Sequence, residues 1–103
     1  MARTIQELLA DARKQVVQIS AQEVQEELAG NPEAYTVIDV RERDEFNQGH
    51  LSRATFIPRG FLELRIEKAV SDKTQPILMY CAGGKRSLLG AKSIQEMGYK
   101  NVS

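Results

Sequence analysis

The sequence predicts a single α/β domain with a mainly parallel central sheet and helices on both faces. Short strand-like segments alternate along the chain with segments of helical periodicity, the pattern of βαβ units. Two of the strand-like runs, YTVIDV at 35–40 and PILMY at 76–80, are rich in β-branched and apolar residues, as strands buried on both faces are. The length of 103 residues is that of one domain.

An amphipathic helix is predicted at the N-terminus, over residues 4–14. Thr4 and Glu7 have the spacing of a capping box, and the apolar residues that follow recur on one face. We therefore divide the chain into an N-terminal helical extension, 1–15, and an α/β domain, 16–103.

The domain is predicted to begin with a short strand and a helix. Two valines and an isoleucine favour a strand over 16–19. Ser20 and Glu23 form a second capping-box pattern, which opens a helix that ends at Gly30.

The stretch between the two buried strands is predicted to hold three further elements. Residues 41–49 are polar and form one short helical turn around a phenylalanine, and 54–57 form another strand. Pro58 stops that strand, and 60–70 have the apolar spacing of a helix. Residues 71–75 are a polar turn.

A glycine-rich loop, CAGGKR at 81–86, follows the last buried strand. A helix is predicted over 87–97, with Ser87 as its N-cap residue and Gly98 closing it. Residues 101–103 begin a final strand.

Composition excludes several classes of protein and site. Fourteen basic and fourteen acidic residues cancel, so the chain has no overall field for nucleic acid or an anionic membrane. No apolar run approaches the roughly 18 residues of a membrane span, and no secretory signal is evident. One cysteine and one histidine argue against a disulfide framework, a metal site or a bound cofactor. The cytoplasm is the expected compartment.

The loop that follows the strand at 76–80 carries the predicted chemistry. In an open α/β sheet, ligands lie at the carboxyl ends of the strands, where a loop and a helix N-terminus direct amide groups into one place. Gly83 and Gly84 allow the loop to curl into an anion cradle around Cys81, beside the cations Lys85 and Arg86. These features stabilise a thiolate nucleophile. A lone cysteine is otherwise typical of a small buried hydrophobe, but the Gly-Gly-Lys-Arg-Ser sequel is unusual for core packing.

Three segments of the chain together resemble the rhodanese family of sulfurtransferases. Residues 81–87 are similar to the active-site loop C-x-x-G-x-R-S of its single-domain members. Residues 37–54 are similar to the signature V-I-D-V-R-E-x-x-E-F-x-x-G-H-I-x-x-A, and 98–102 to G-Y-x-N-V. The segments occur in family order, so the resemblance extends from about residue 19 to the end.

The resemblance implies a thiosulfate:cyanide sulfurtransferase activity. Cys81 is then the catalytic residue: it takes the outer sulfur of thiosulfate or a persulfide donor, becomes a persulfide, and gives that sulfur to cyanide or a thiol. Backbone amides stabilise the persulfide anion, while the two cations attract the donor's oxyanion end. The expected substrate-binding residues are Ala82, Gly83, Gly84, Lys85, Arg86 and Ser87. The expected partners are a small anionic sulfur donor and a thiol or protein acceptor.

Two other functions remain as alternatives. Cysteine phosphatases and arsenate reductases use the longer loop C-x5-R, whereas Cys81 and Arg86 here have the spacing C-x4-R. The shorter loop suits one sulfur atom better than a tetrahedral phosphate. A redox-sensing or docking module would use the same cysteine through a sulfenic acid or a mixed disulfide.

Polar residues at the end of the strand 35–40 are predicted to support the loop. Asp39 is expected to accept hydrogen bonds from Arg86 or Ser87, with Arg41 beside it. His50 is interpreted as a structural residue of a turn, because a thiolate nucleophile needs no general base.

The sequence departs from the family pattern at two places. Ser52-Arg53 replaces the usual Pro-Gly, and the chain stops at Ser103, where the family continues into a final helix. Without that C-terminal helix, one face of the sheet is expected to be open. The helix at 4–14 can cover it or dock a partner, and a homodimer or an exchange of elements between chains is a further expectation.

Overall fold

The computed structural model describes residues 2–103, apart from the side chain of Ala21. Five helices and three strands are formed in this part of the chain, with one 3-10 turn at Arg59–Phe61. The helices are α1 (Ile5–Gln15), α2 (Ala21–Gly30), α3 (Arg43–Gln48), α4 (Leu62–Ala69) and α5 (Lys85–Glu96). The strands are β1 (Thr36–Asp39), β2 (Thr55–Phe56) and β3 (Ile77–Tyr80).

The three strands form one parallel sheet in the order β2-β1-β3, as the sequence predicts. The central strand β1 pairs with β3 over its whole length, so that Asp39 lies opposite Tyr80. Because the strands are parallel, their carboxyl ends meet at one edge of the sheet. Residues immediately after β1 and β3 therefore become neighbours.

Helices cover both faces of the sheet, which confirms the predicted architecture. One face, with Ile38 and Met79, packs against buried side chains of α1, α4 and α5. The other face, with Val37 and Leu78, packs against Val24 of α2. Among residues 2–103, every helix is too short or too polar to cross a lipid bilayer.

The N-terminal helix is part of this core. Its N-terminus has the predicted capping box, in which Thr4 and Glu7 satisfy each other's backbone amides. Leu9 and Ala12 are completely buried and contact the same cluster as α5. The helix therefore covers the α4 and α5 side of the sheet.

The strand predicted over 16–19 does not form. Val16 is buried in the cluster that contains α1, whereas Ile19 packs against the cluster on the opposite face of the sheet. The segment thus connects two helices on different faces and has no neighbouring strand to pair with, which explains why its apolar residues do not make a ladder. Residues 101–103 do run beside β3, through a parallel bridge between Val102 and Ile77.

Candidate active site

The loop between β3 and α5 begins at Cys81 and ends at a residue that only glycine adopts easily. Gly84 has φ +83°, in the left-handed region, and is the N-cap of α5. The helix therefore starts at Lys85, and the prediction of Ser87 as the N-cap is wrong. Ser87 lies in the first turn instead, where its hydroxyl donates to the Gly84 carbonyl at 3.1 Å.

The sulfur of Cys81 takes the position that a capping side chain would occupy. Its Sγ accepts hydrogen bonds from the backbone amides of Gly84, at 3.1 Å, and Ser87, at 3.3 Å. The Ser87 Oγ lies 3.5 Å from the same sulfur. Free amides at a helix N-terminus favour a negative charge, so this arrangement stabilises a thiolate.

These contacts lower the pKa of Cys81. Burial alone raises it, because the thiolate loses hydration, but the Ser87 hydroxyl and the amides of Ser87, Gly84 and Gly83 outweigh that effect. Cys81 is only half-buried, so the thiolate remains within reach of a small molecule. The combination of an exposed edge and a lowered pKa is that of a reactive cysteine.

Alkylation by iodoacetamide is expected to reveal the lowered pKa directly. Since the thiolate is the reacting form, the rate should rise with pH to a midpoint below that of an ordinary cysteine thiol. Ser87→Ala should move the midpoint upward, because one stabilising contact is lost, while Ser71→Ala, in an exposed turn, should not. Cys81 is the only cysteine, so mass spectrometry reports this site alone. A midpoint at the ordinary value would contradict the proposed thiolate.

The two cations of the loop occupy different environments. Lys85 is exposed at the first position of α5. Arg86 forms a bidentate ion pair with Glu45 of α3, with Nη1–Oε1 2.8 Å and Nη2–Oε2 3.0 Å. The partner was not identified from the sequence, although Glu45 stands in the acidic part of the segment 37–54. No local pattern distinguishes it from the carboxylates beside it.

Asp39 has a different partner from the one expected. Its fully buried carboxylate accepts hydrogen bonds from the backbone amide, Nε and Nη2 of Arg41, at 3.0, 3.0 and 2.8 Å, rather than from Arg86 or Ser87. The expectation fails because Glu45 takes the guanidinium of Arg86, and Ser87 bonds within its own helix turn.

Arg41 links this buried carboxylate to the wall of the site. Its Nη2 also donates to the Gly49 carbonyl at 2.7 Å. The Tyr80 hydroxyl, directly before Cys81 in sequence, accepts from the Leu51 amide at 3.0 Å. The turn at 49–51 is thereby fixed beside the end of β3. His50 of that turn stacks on Phe46 and places Nδ1 3.0 Å from its carbonyl, a structural arrangement.

A cavity of about 370 Å³ opens beside Cys81. Its described walls are mainly apolar and carry no charged side chain apart from the cysteine sulfur. The lining includes Ile19, Val24, Leu51, Leu78 and Leu88, with Ser87 and Gly84 next to the sulfur. The volume is sufficient for a small organic molecule.

Comparison with known proteins decides the family. The sequence model of the Rhodanese-like domain matches residues 20–103. This chain is a member of the rhodanese-like family. The rhodanese-like segment includes the whole sheet and the Cys81 loop, whereas α1 lies outside the matched residues.

Individual relatives of this rhodanese-like chain agree in fold. It is 37% identical to the thiosulfate sulfurtransferase PspE of Escherichia coli over 65 residues, which cover 63% of this chain and 62% of PspE. The chain thus spans about three-fifths of that relative, and less of several others. A solved structure described as rhodanese with anions from E. coli is 35% identical, with a TM-score of 0.64 over 66% of this chain and 80% of that one.

Another solved structure matches almost the entire rhodanese-like chain. It is a Rhodopseudomonas palustris protein of unknown function, described as a possible tyrosine phosphatase, with a TM-score of 0.90 and 25% identity. The match covers 99% of this chain and 83% of the other, so the neighbour has a counterpart of α1 as well.

Proposed function

We propose that the chain is a sulfurtransferase that carries a sulfane sulfur on Cys81. The observation that carries this proposal is the position of Sγ, which accepts two backbone amides at the start of α5 and remains half-exposed. The names of relatives, including thiosulfate sulfurtransferase, support the same chemistry.

The reaction consists of two displacements at sulfur. First, an electron pair of the Cys81 thiolate attacks the outer sulfur of thiosulfate or a persulfide. A bond forms between Sγ and that sulfur, and the donor's S–S bond breaks with its electron pair leaving on sulfite or a thiolate. Cyanide or a thiol then attacks the outer sulfur of the persulfide, and the electron pair returns to Sγ. Sulfur moves in both steps without an external oxidant or reductant.

The loop supports this cycle through its backbone. The amides of Gly84 and Ser87 stabilise the thiolate before attack and after the second displacement, and the amides of 82–86 serve the persulfide anion. These donors are fixed by α5 and need no rearrangement during turnover. Lys85 provides an exposed positive charge for an anionic donor. A reducing compartment, the cytoplasm, keeps Cys81 available for this role.

Phosphatase chemistry is the second candidate, because the R. palustris neighbour bears that description. Two features of this chain favour sulfur transfer instead. The loop has the spacing C-x4-R, one residue shorter than in cysteine phosphatases, and both terminal nitrogens of Arg86 already bind Glu45. A guanidinium held in this way is poorly placed to clamp a phosphate.

Intact-mass spectrometry tests the proposal. After thiosulfate treatment, the protein should gain the mass of one sulfur atom at Cys81, and cyanide should remove it with formation of thiocyanate. Hydrolysis of p-nitrophenyl phosphate without any sulfur gain would favour the phosphatase. A protein that only forms sulfenic acid with peroxide, and never accepts sulfur, would favour the redox-sensing module.

A further inference from the structure

Arg86 is the cation nearest the reacting sulfur in the loop, yet its charge is already compensated. Its guanidinium forms two hydrogen bonds with one carboxylate, the geometry in which Arg binds a carboxylate most strongly. Arg86 lowers the pKa of Glu45 to about 2, so the carboxylate is charged wherever the Cys81 thiolate exists. An approaching anion therefore encounters a neutral pair.

The remaining charges around the sulfur offer little attraction for a doubly charged donor. The thiolate of Cys81 repels anions, and the ammonium of Lys85 is exposed and screened by solvent. The cavity beside the sulfur has apolar or uncharged polar walls, with Leu51 and Leu88 among them. Walls of this kind accept an alkyl or aryl group more readily than they accept sulfite oxygens.

We propose that Glu45 sets donor specificity, so that the site prefers organic persulfides of low charge over the thiosulfate dianion. This inference rests on the proposed sulfur transfer and names its substrate class. Glu45 acts through Arg86 and is a positioning residue. In the loading step, Sγ attacks the outer sulfur of a protonated persulfide RSSH. The new S–S bond forms as the original one breaks, and the electron pair leaves with RS⁻.

Glu45→Gln tests the inference, with Asp44→Asn as its control. Glutamine removes the negative charge and retains one hydrogen-bond acceptor for Arg86. Asp44 is an exposed neighbour on α3, so its replacement makes the same change of net charge away from the guanidinium. The measurement is the second-order rate of sulfur loading on Cys81, by intact mass, with thiosulfate and with n-butyl persulfide. Each rate is divided by that of the same donor with N-acetylcysteine.

In the natural protein, the normalised rate should be higher for n-butyl persulfide. Glu45→Gln should raise the thiosulfate-to-persulfide ratio about tenfold, since a partly exposed charge is removed near a dianion's path. Salt should then reduce thiosulfate loading more steeply in Glu45→Gln than in the natural protein. Asp44→Asn should leave the ratio within about twofold of the natural value, because surface charges at a distance are screened.

Three results would overturn the inference: a natural preference for thiosulfate, a ratio that Glu45→Gln does not change, or an equal effect of Asp44→Asn. If Glu45→Gln does not fold, the normalised preference of the natural protein and the ratio for Glu45→Asp decide the matter. Failure of both donors to load Cys81 would instead refute the proposed sulfur transfer. Loading by both donors with an unresponsive ratio would refute only the role of Glu45.

Discussion

Cys81→Ser is expected to lower thiosulfate:cyanide turnover by about a thousandfold or more, to the uncatalysed background. A serine hydroxyl at this position accepts the amides of Gly84 and Ser87 but is not ionised near neutral pH. It also forms no stable bond to a transferred sulfur atom. The measurement is thiocyanate formation at saturating thiosulfate, with Cys81→Ala assayed beside it.

A loss of turnover in Cys81→Ser must be separated from a loss of structure. The substitution changes one half-buried atom, so urea unfolding should report a free energy within about 1 kcal/mol of the natural protein. Retention of more than a small fraction of turnover by a folded Cys81→Ser protein would remove the basis of the proposed mechanism.

The second large effect is expected on stability, from Asp39→Ala. Asp39 is fully buried at the end of the central strand, and Arg41 beside it has a side chain that is only 15% exposed. Loss of the carboxylate leaves a largely buried guanidinium without its main partner, which typically costs about 3–5 kcal/mol. The free energy of unfolding in urea measures this cost.

Glu33→Ala provides the matched control for Asp39→Ala. It removes the carboxylate of an exposed ion pair with Arg53, in which the side chains are 78% and 61% exposed. Pairs of this kind contribute at most about 1 kcal/mol, because water and salt screen them. If both variants lost the same stability, the buried pair would have no special role.

The pH dependence of stability should carry the same information about Asp39. Burial raises the pKa of its carboxyl, but the side-chain and backbone hydrogen bonds from Arg41 outweigh that effect and leave the pKa below its ordinary value. Because the folded pKa is lowered, the stabilisation is complete above the unfolded pKa and is lost as the pH falls through the folded value. Asp39→Asn should flatten this part of the acid unfolding curve.

The sheet and most helices could be predicted because their signals are local. The apolar runs at 35–40 and 76–80 became β1 and β3, and the capping box of Thr4 and Glu7 opened α1 as expected. Gly98 has φ +99°, consistent with its predicted position at the end of α5.

The parts that could not be predicted depend on contacts between distant segments. Ser87 has the chemistry of an N-cap residue, but Gly84 starts the helix earlier and the sulfur of Cys81 takes the amides that a cap would bind. The pairing of Arg86 with Glu45 joins residues 41 positions apart, and neighbouring carboxylates on α3 have equal claims in sequence. Tertiary structure alone selects among them.

The burial of Leu9 and Ala12 has a practical consequence for any shortened version of this protein. A gene fragment that began at residue 20, where the family match begins, would leave the underside of α5 bare. Such a fragment would carry a greasy trough into solution and would tend to clump, so expression trials should retain the leading helix.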